Sequence, residues 1–140
     1  MLIGCFQFFH EASGKYLNAL DEDIVLYHKK ERTSYFHVYQ KHNNIMALQS
    51  VMTRKFLGVT WLGEVRVAGE YFGKSEECHL QMEKNETGLY LLACNWWIGG
   101  WLKIPGEDDI GKISKCSSGL TDVTDIIKFN ITKIDTKGIQ

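Results

Sequence analysis

At 140 residues and 16.1 kDa, the chain has the size of one domain, long enough to bury a sizeable core without disulfide or metal staples. Its net charge of −1 gives no ground for a nucleic-acid or heparin partner, and no run approaches the ~18 apolar residues of a membrane-spanning helix. Thirteen glycines against one proline, with 12% aromatic residues, favour short strands joined by tight turns.

The start of the chain, Met1 to Phe9, has no basic segment of the kind that precedes a secretory core, so a cytoplasmic location is expected. Apolar and polar residues then alternate in short runs: Phe6-Gln7-Phe8, Phe36-His37-Val38-Tyr39, Val65-Arg66-Val67. This is the two-residue period of half-buried strands, and no segment sustains the 3.6-residue period of a helix. The runs recur. A first unit reads Phe6-Gln7-Phe8, Gly14-Lys15-Tyr16-Leu17, Val25, Phe36-His37-Val38. A second reads Met46-Ala47-Leu48, Arg54-Lys55-Phe56-Leu57, Val65, Cys78-His79-Leu80, and a third Tyr90-Leu91-Leu92, Gly99-Gly100-Trp101-Leu102, Ile110, Ile127-Lys128-Phe129. Leu17, Leu57 and Leu102 each precede the next marker (Val25, Val65, Ile110) by eight residues.

Four strands per unit give about twelve, and polar clusters at Asp21-Glu22-Asp23, Gly63-Glu64 and Gly106-Glu107-Asp108-Asp109 mark the hairpin turns. Three units are too few to close a propeller ring. They fit an all-β, β-trefoil domain with internal three-fold pseudo-symmetry spanning residues 1–140, with repeats at approximately 1–43, 44–86 and 87–134.

The residues Gly14-Lys15-Tyr16-Leu17, Tyr35-Phe36-His37-Val38, Ile45-Met46-Ala47-Leu48-Gln49-Ser50 and Arg54-Lys55-Phe56-Leu57-Gly58-Val59 give the chain its resemblance to the fascin/hisactophilin-type trefoils. That resemblance implies a non-catalytic cytoplasmic module that binds filamentous actin. The basic run His28-Lys29-Lys30-Glu31-Arg32, with Lys15, Arg54 and Lys55, is the candidate partner patch for an acidic surface. Two other classes remain open: a carbohydrate-binding, lectin-like trefoil, and a leaderless secreted ligand of interleukin-1 or fibroblast-growth-factor type. The ricin-type Gln-x-Trp signature is absent, and acids at Asp108, Asp109, Asp122 and Asp125 speak against a heparin loop.

The third unit departs from the other two. It carries an extra residue in Cys94-Asn95-Trp96-Trp97-Ile98-Gly99-Gly100-Trp101 and a long loop from Lys115 to Asp125. Trp101 aligns with Tyr16 and Phe56 and is expected in the core, whereas Trp96 and Trp97 fall in a turn where both cannot easily be buried. Asn95, Trp96, Trp97, Asp108 and Asp109 are therefore the candidate ligand-binding residues, with Trp61 a weaker aromatic of the same kind. His37 and His79 are expected to face outward as surface residues.

No cofactor, metal site or catalytic group is expected. Cys5, Cys78, Cys94 and Cys116 lack zinc-ligand spacing and read as reduced core residues. Gly73-Lys74-Ser75 lacks the first glycine of a phosphate loop, that position being Ala68.

Overall fold

The alternating runs fold into thirteen strands in a computed structural model that describes residues 1–41, 44–82, 88–95, 100–106, 111–113, 116–117 and 126–135. They are β1 (Leu2–His10), β2 (Lys15–Leu20), β3 (Asp23–Tyr27), β4 (Phe36–Gln40), β5 (Met46–Ser50), β6 (Phe56–Val59) and β7 (Val65–Gly69). There follow β8 (Cys78–Met82), β9 (Leu89–Cys94), β10 (Gly100–Leu102), β11 (Lys112–Ile113), β12 (Cys116–Ser117) and β13 (Lys128–Ile134). Single 3₁₀ turns at Arg32–Ser34 and Lys74–Glu76 lead into β4 and β8. Among the described residues no helix is long and apolar enough to cross a membrane.

Six strands close a ring. β1 pairs with β4, β4 with β5, β5 with β8, β8 with β9, β9 with β13, and β13 returns to β1, all antiparallel. Closure leaves no unpaired barrel edge. The hairpins β2–β3 and β6–β7 and the strand β10 branch from β1, β5 and β9 respectively, one per repeat. They cap the barrel and touch one another: β3 pairs with β11, and the Val67 N–H donates to Glu22 O at 2.8 Å.

The repeated apolar positions are the core. Leu17, Leu57 and Leu102 are at most 1% exposed, as are Phe8, Leu48 and Leu92, so each equivalent position contributes one side chain to a three-fold layer. Full burial of such a side chain stabilises the fold by about 2 kcal/mol. Phe8 meets Phe36 and Phe129 edge-to-face at centroid distances of 5.9 and 5.8 Å, joining the first and third repeats through one ring. Turn geometry repeats as well. Gly14 (φ 70°) and Arg54 (φ 63°) hold equivalent left-handed positions, and their N–H groups donate to His10 O and Ser50 O, both at 2.9 Å.

The third hairpin departs from the expected spacing. Leu17 pairs with Leu26 and Leu57 with Val67, but Leu102 pairs with Cys116, so the return strand begins several residues later than in the other repeats. Cys116 and Ser117, expected in the long loop, form that strand. Ile110 lies outside the described residues. The extra chain is inserted before the return strand, which eight-residue spacing alone could not reveal.

Candidate functional site

His37, His79 and Asn130 pair with Gln49, Ala93 and Phe9, each one residue beyond the core Leu48, Leu92 or Phe8, so the register makes these three positions equivalent and corrects the sequence alignment, which puts Lys128 there. Diagonal to each lies the residue just past the neighbouring barrel strand, three beyond the core Leu48, Leu92 or Phe8: Val51, Asn95 and Glu11, the last 3.5 Å by its Oε2 from Asn130 Nδ2. The backbone confirms the match for two of them, since Val51 N–H donates to Tyr35 O at 3.0 Å and Asn95 N–H to Glu77 O at 2.9 Å. Tyr16, Phe56 and Trp101 hold equivalent places on β2, β6 and β10, paired with Phe9, Gln49 and Ala93.

The three niches differ in chemistry. In the second repeat pair, Val51 is buried and His37 Nδ1, also buried, has no hydrogen-bond partner. Burial, with the Arg54 guanidinium nearby, holds the His37 pKa below the ordinary histidine value. In the third, exposed Asn95 places Oδ1 2.7 Å from His79 Nδ1, and the His79 ring sits edge-on to Trp101 at 5.3 Å and 76°. Asn95 Oδ1 is an acceptor, so Nδ1 donates to it; Nε2 is an acceptor whenever the ring is neutral, and the Asn95 amide keeps two donor hydrogens. Trp101, expected in the core, is half-buried, as is its equivalent Tyr16, whereas Phe56 is buried.

Asn95 is thus the one expected ligand-binding residue within the described residues; Trp96, Trp97, Asp108 and Asp109 lie outside them. His79 and Trp101 were not among the expected site residues. The register Cys78↔Cys94 on β8 and β9 brings His79 and Asn95 together. The signal that could have found them is the repeat itself: aligning Val51 with Asn95 marks the niche where an amide replaces a hydrophobe.

The expected basic patch divides between the bases of two hairpins. Lys15, Lys29, Lys30 and Arg32 border the first and Arg54 and Lys55 the second; the Val51–Tyr35 bond ties the turn carrying Arg54 to the segment carrying Arg32. Lys29 meets Glu31 at 4.0 Å and Lys55 meets Glu70 at 2.7 Å. Among the described residues, Lys15, Lys30, Arg32 and Arg54 form no ion pair with an acid. Asn18, wholly buried, shapes the first hairpin's base: its Nδ2 donates to Tyr16 O (3.0 Å), Lys29 O (3.1 Å) and Tyr27 O (3.5 Å), and its Oδ1 accepts from Thr33 Oγ1 (2.7 Å).

The acidic turn Asp21-Glu22-Asp23, expected as a solvated turn, reaches across repeats. Asp23 Oδ1 lies 3.2 Å from Arg66 Nη1 and 3.3 Å from Lys112 Nζ, and Glu22 Oε2 lies 3.5 Å from Arg66 Nη2. One carboxylate from the first repeat therefore draws in a cation from each of the other two.

Two concavities accompany these features. A cavity of about 400 Å³ opens at the barrel end, lined mostly by apolar side chains of all six barrel strands, including Phe6, Met46, Leu80 and Tyr90. A cleft of about 200 Å³ lies on the outer face of β6–β7 against the 3₁₀ turn at Lys74–Glu76. The cysteines Cys5, Cys78 and Cys94 are buried, and burial pushes the Cys78 thiol up to about 12. Among the described residues no group of three or more His, Cys, Asp or Glu side chains converges as a metal ion would require.

No protein-family model and no curated protein matches the chain. Solved structures do. A structure titled "BEL beta-trefoil apo crystal form 3" superposes with a TM-score of 0.73 at 11% identity, covering 96% of this chain and 95% of its own. A second, "SeviL bound to asialo-GM1 saccharide", gives a TM-score of 0.73 at 14% identity, covering 95% and 99%. Likeness at such identity carries the fold alone, and with the closed six-stranded ring and its three caps it establishes that this chain is a β-trefoil.

Proposed function

We propose that the chain is a non-catalytic carbohydrate-binding module whose site is the Asn95–His79–Trp101 niche. The observation that supports this reading is the niche's chemistry: an acceptor, two donors and an indole held together at one of three equivalent positions. Vicinal hydroxyls of a sugar ring present donors and acceptors side by side, which the Asn95 amide and His79 Nε2 complement. The C–H face of a pyranose is weakly positive and suits the negative face of an indole. The saccharide in the SeviL structure shows that a protein of this fold takes such a ligand, and the proposal extends that to this chain.

The test is a glycan array followed by titration of the best ligand against Asn95→Val, which copies Val51 of the preceding repeat. Affinity should fall at least about tenfold while the melting temperature is retained, since Asn95 is exposed. Folded protein with no glycan above background would sink the reading. A second reading, an acidic protein surface such as filamentous actin, draws support from the unpaired cations Lys15, Lys30, Arg32 and Arg54; co-sedimentation with filaments that disappears in Arg32→Glu/Arg54→Glu would favour it.

A further inference from the structure

We propose that the cleft on the outer face of β6–β7 is a second saccharide subsite, separate from the Asn95 niche and sized for a single sugar ring. Its floor is bare. Gly58, Ala68 and Gly69 line it, and Ala68 is the unpaired residue of a bulge, since Phe56 pairs with Gly69 while Leu57 pairs with Val67. The two glycines are required by the close approach of the 3₁₀ turn: a Cβ on Gly58 would lie 2.6 Å from Ser75 O, and one on Gly69 would lie 2.7 Å from Glu76 Cγ. The turn is thereby pressed against the sheet, and its side chains form one wall of the cleft.

The walls are polar and fixed. Glu76 Oε1 accepts the Gly73 N–H at 3.0 Å and Oε2 accepts the Ser75 hydroxyl at 2.6 Å, so the carboxylate is held by its own turn and each oxygen keeps a further lone pair. Opposite, the Arg66 guanidinium is tethered by Asp23 and Glu22 from the first repeat, with donors left over. Thr60 contributes a hydroxyl that already accepts the Glu64 N–H at 3.2 Å and so is oriented.

An exposed aromatic stands beside this wall. Tyr71 is 76% exposed, and its ring lies 3.9 Å from the point a Gly73 Cβ would occupy, a point only 3.2 Å from Glu76 Oε1. Trp61, also 76% exposed, follows Thr60 directly in the chain. An immobilised carboxylate, a guanidinium and two hydroxyls around a small floor match a polyhydroxylated ring, with hydroxyls to Glu76 and Arg66; Tyr71 stands outside the lining, on the Oε1 side of Glu76, where the apolar face of a ring projecting from the cleft would meet it. A phosphate or sulfate is disfavoured by Glu76 in the wall. A flat apolar ligand would leave these polar groups desolvated and unpaired, at a cost of about 1–3 kcal/mol each.

The inference rests on reading the chain as carbohydrate-binding, and the experiment separates the two sites. Backbone amide shifts are followed while methyl glycosides of glucose, galactose and mannose, and N-acetylglucosamine, are titrated into wild type, Ala68→Phe, Tyr71→Ala and Asn95→Val. Ala68 and Tyr71 are exposed, so neither change disturbs the core, and the second variant stands in should the first misfold. The subsite predicts that one of these sugars shifts Gly58, Gly69 and Ser75 and that Ala68→Phe or Tyr71→Ala weakens those shifts about tenfold. Asn95→Val should leave them within about twofold. Shifts confined to the His79–Asn95 region would overturn the second subsite and leave the first. Absence of shifts in both regions would overturn both.

Discussion

Replacing Asn18 by alanine tests how the first repeat holds its loop. The side chain is wholly buried and makes two good donor bonds, to Tyr16 O and Lys29 O, plus the short bond from Thr33 Oγ1; the contact to Tyr27 O at 3.5 Å is marginal. At about 1 kcal/mol net for each of the three good bonds, the loss comes to about 3 kcal/mol. In urea, with a slope of about 2 kcal/mol per molar, the unfolding midpoint should drop by about 1.5 M at unchanged slope. Thr33→Ala removes one of the three and should cost about 1 kcal/mol. Added to Asn18→Ala it should cost nothing more, because the partner is already gone. A midpoint shift below about 0.5 M for Asn18→Ala would mean that water replaces the amide without penalty, and the account of the loop would be wrong.

Two further outcomes follow from charge. The pKa values of His10 and His37 are held low, chiefly by burial. The folded state resists protonating these rings, so stability is full above the ordinary histidine pKa of about 6.5 and falls as pH drops through the lower folded-state values. Melting temperatures should decline on acidification below about pH 6.5, and His10→Gln/His37→Gln should flatten that decline; an unchanged slope would exonerate both rings. Asp23→Ala breaks the links to Arg66 and Lys112, which are partly solvated, so it should cost no more than about 1 kcal/mol and the loss should shrink in high salt. A loss several times larger would show that the bridge organises the contact between caps, not just their charge.

The core was legible because it repeats. Three leucines at matched offsets can be found by eye, and burial acts on each identically, so Leu17, Leu57 and Leu102 took the places their spacing implied. What escaped was whatever depends on the partner across a gap. The pairing of Asp23 with Arg66 joins residues 43 apart, on hairpins that no local pattern brings together. Alignment with Tyr16 and Phe56 points Trp101 to the core, but its ring meets His79, and a residue's neighbour can change while its position in the repeat does not. In the chain Asn95 stands out only by its tryptophan neighbours, whereas the contact that gives it chemistry runs to a histidine 16 residues earlier.

The same repeat explains why a pseudo-symmetric fold need not have symmetric sites. The barrel constrains the inward residue of each strand through packing, where adding or removing a methylene costs about 1 kcal/mol or more. The neighbouring residue that faces away from the core is less constrained, so His37, His79 and Asn130 can occupy one position in three repeats at little cost to the fold. Each niche is then an independent experiment on a common frame: Glu11 with Asn130, Val51 at the His37 position, Asn95 with His79. Only the last combines a neutral amide, a bonded imidazole and an indole. His37, its Nδ1 bonded to nothing among the described residues, shows what that position costs when the partner is a hydrophobe. Installing Val51→Asn should give His37 the partner that His79 has, and the frame that allows the substitution is what makes one niche convertible into another.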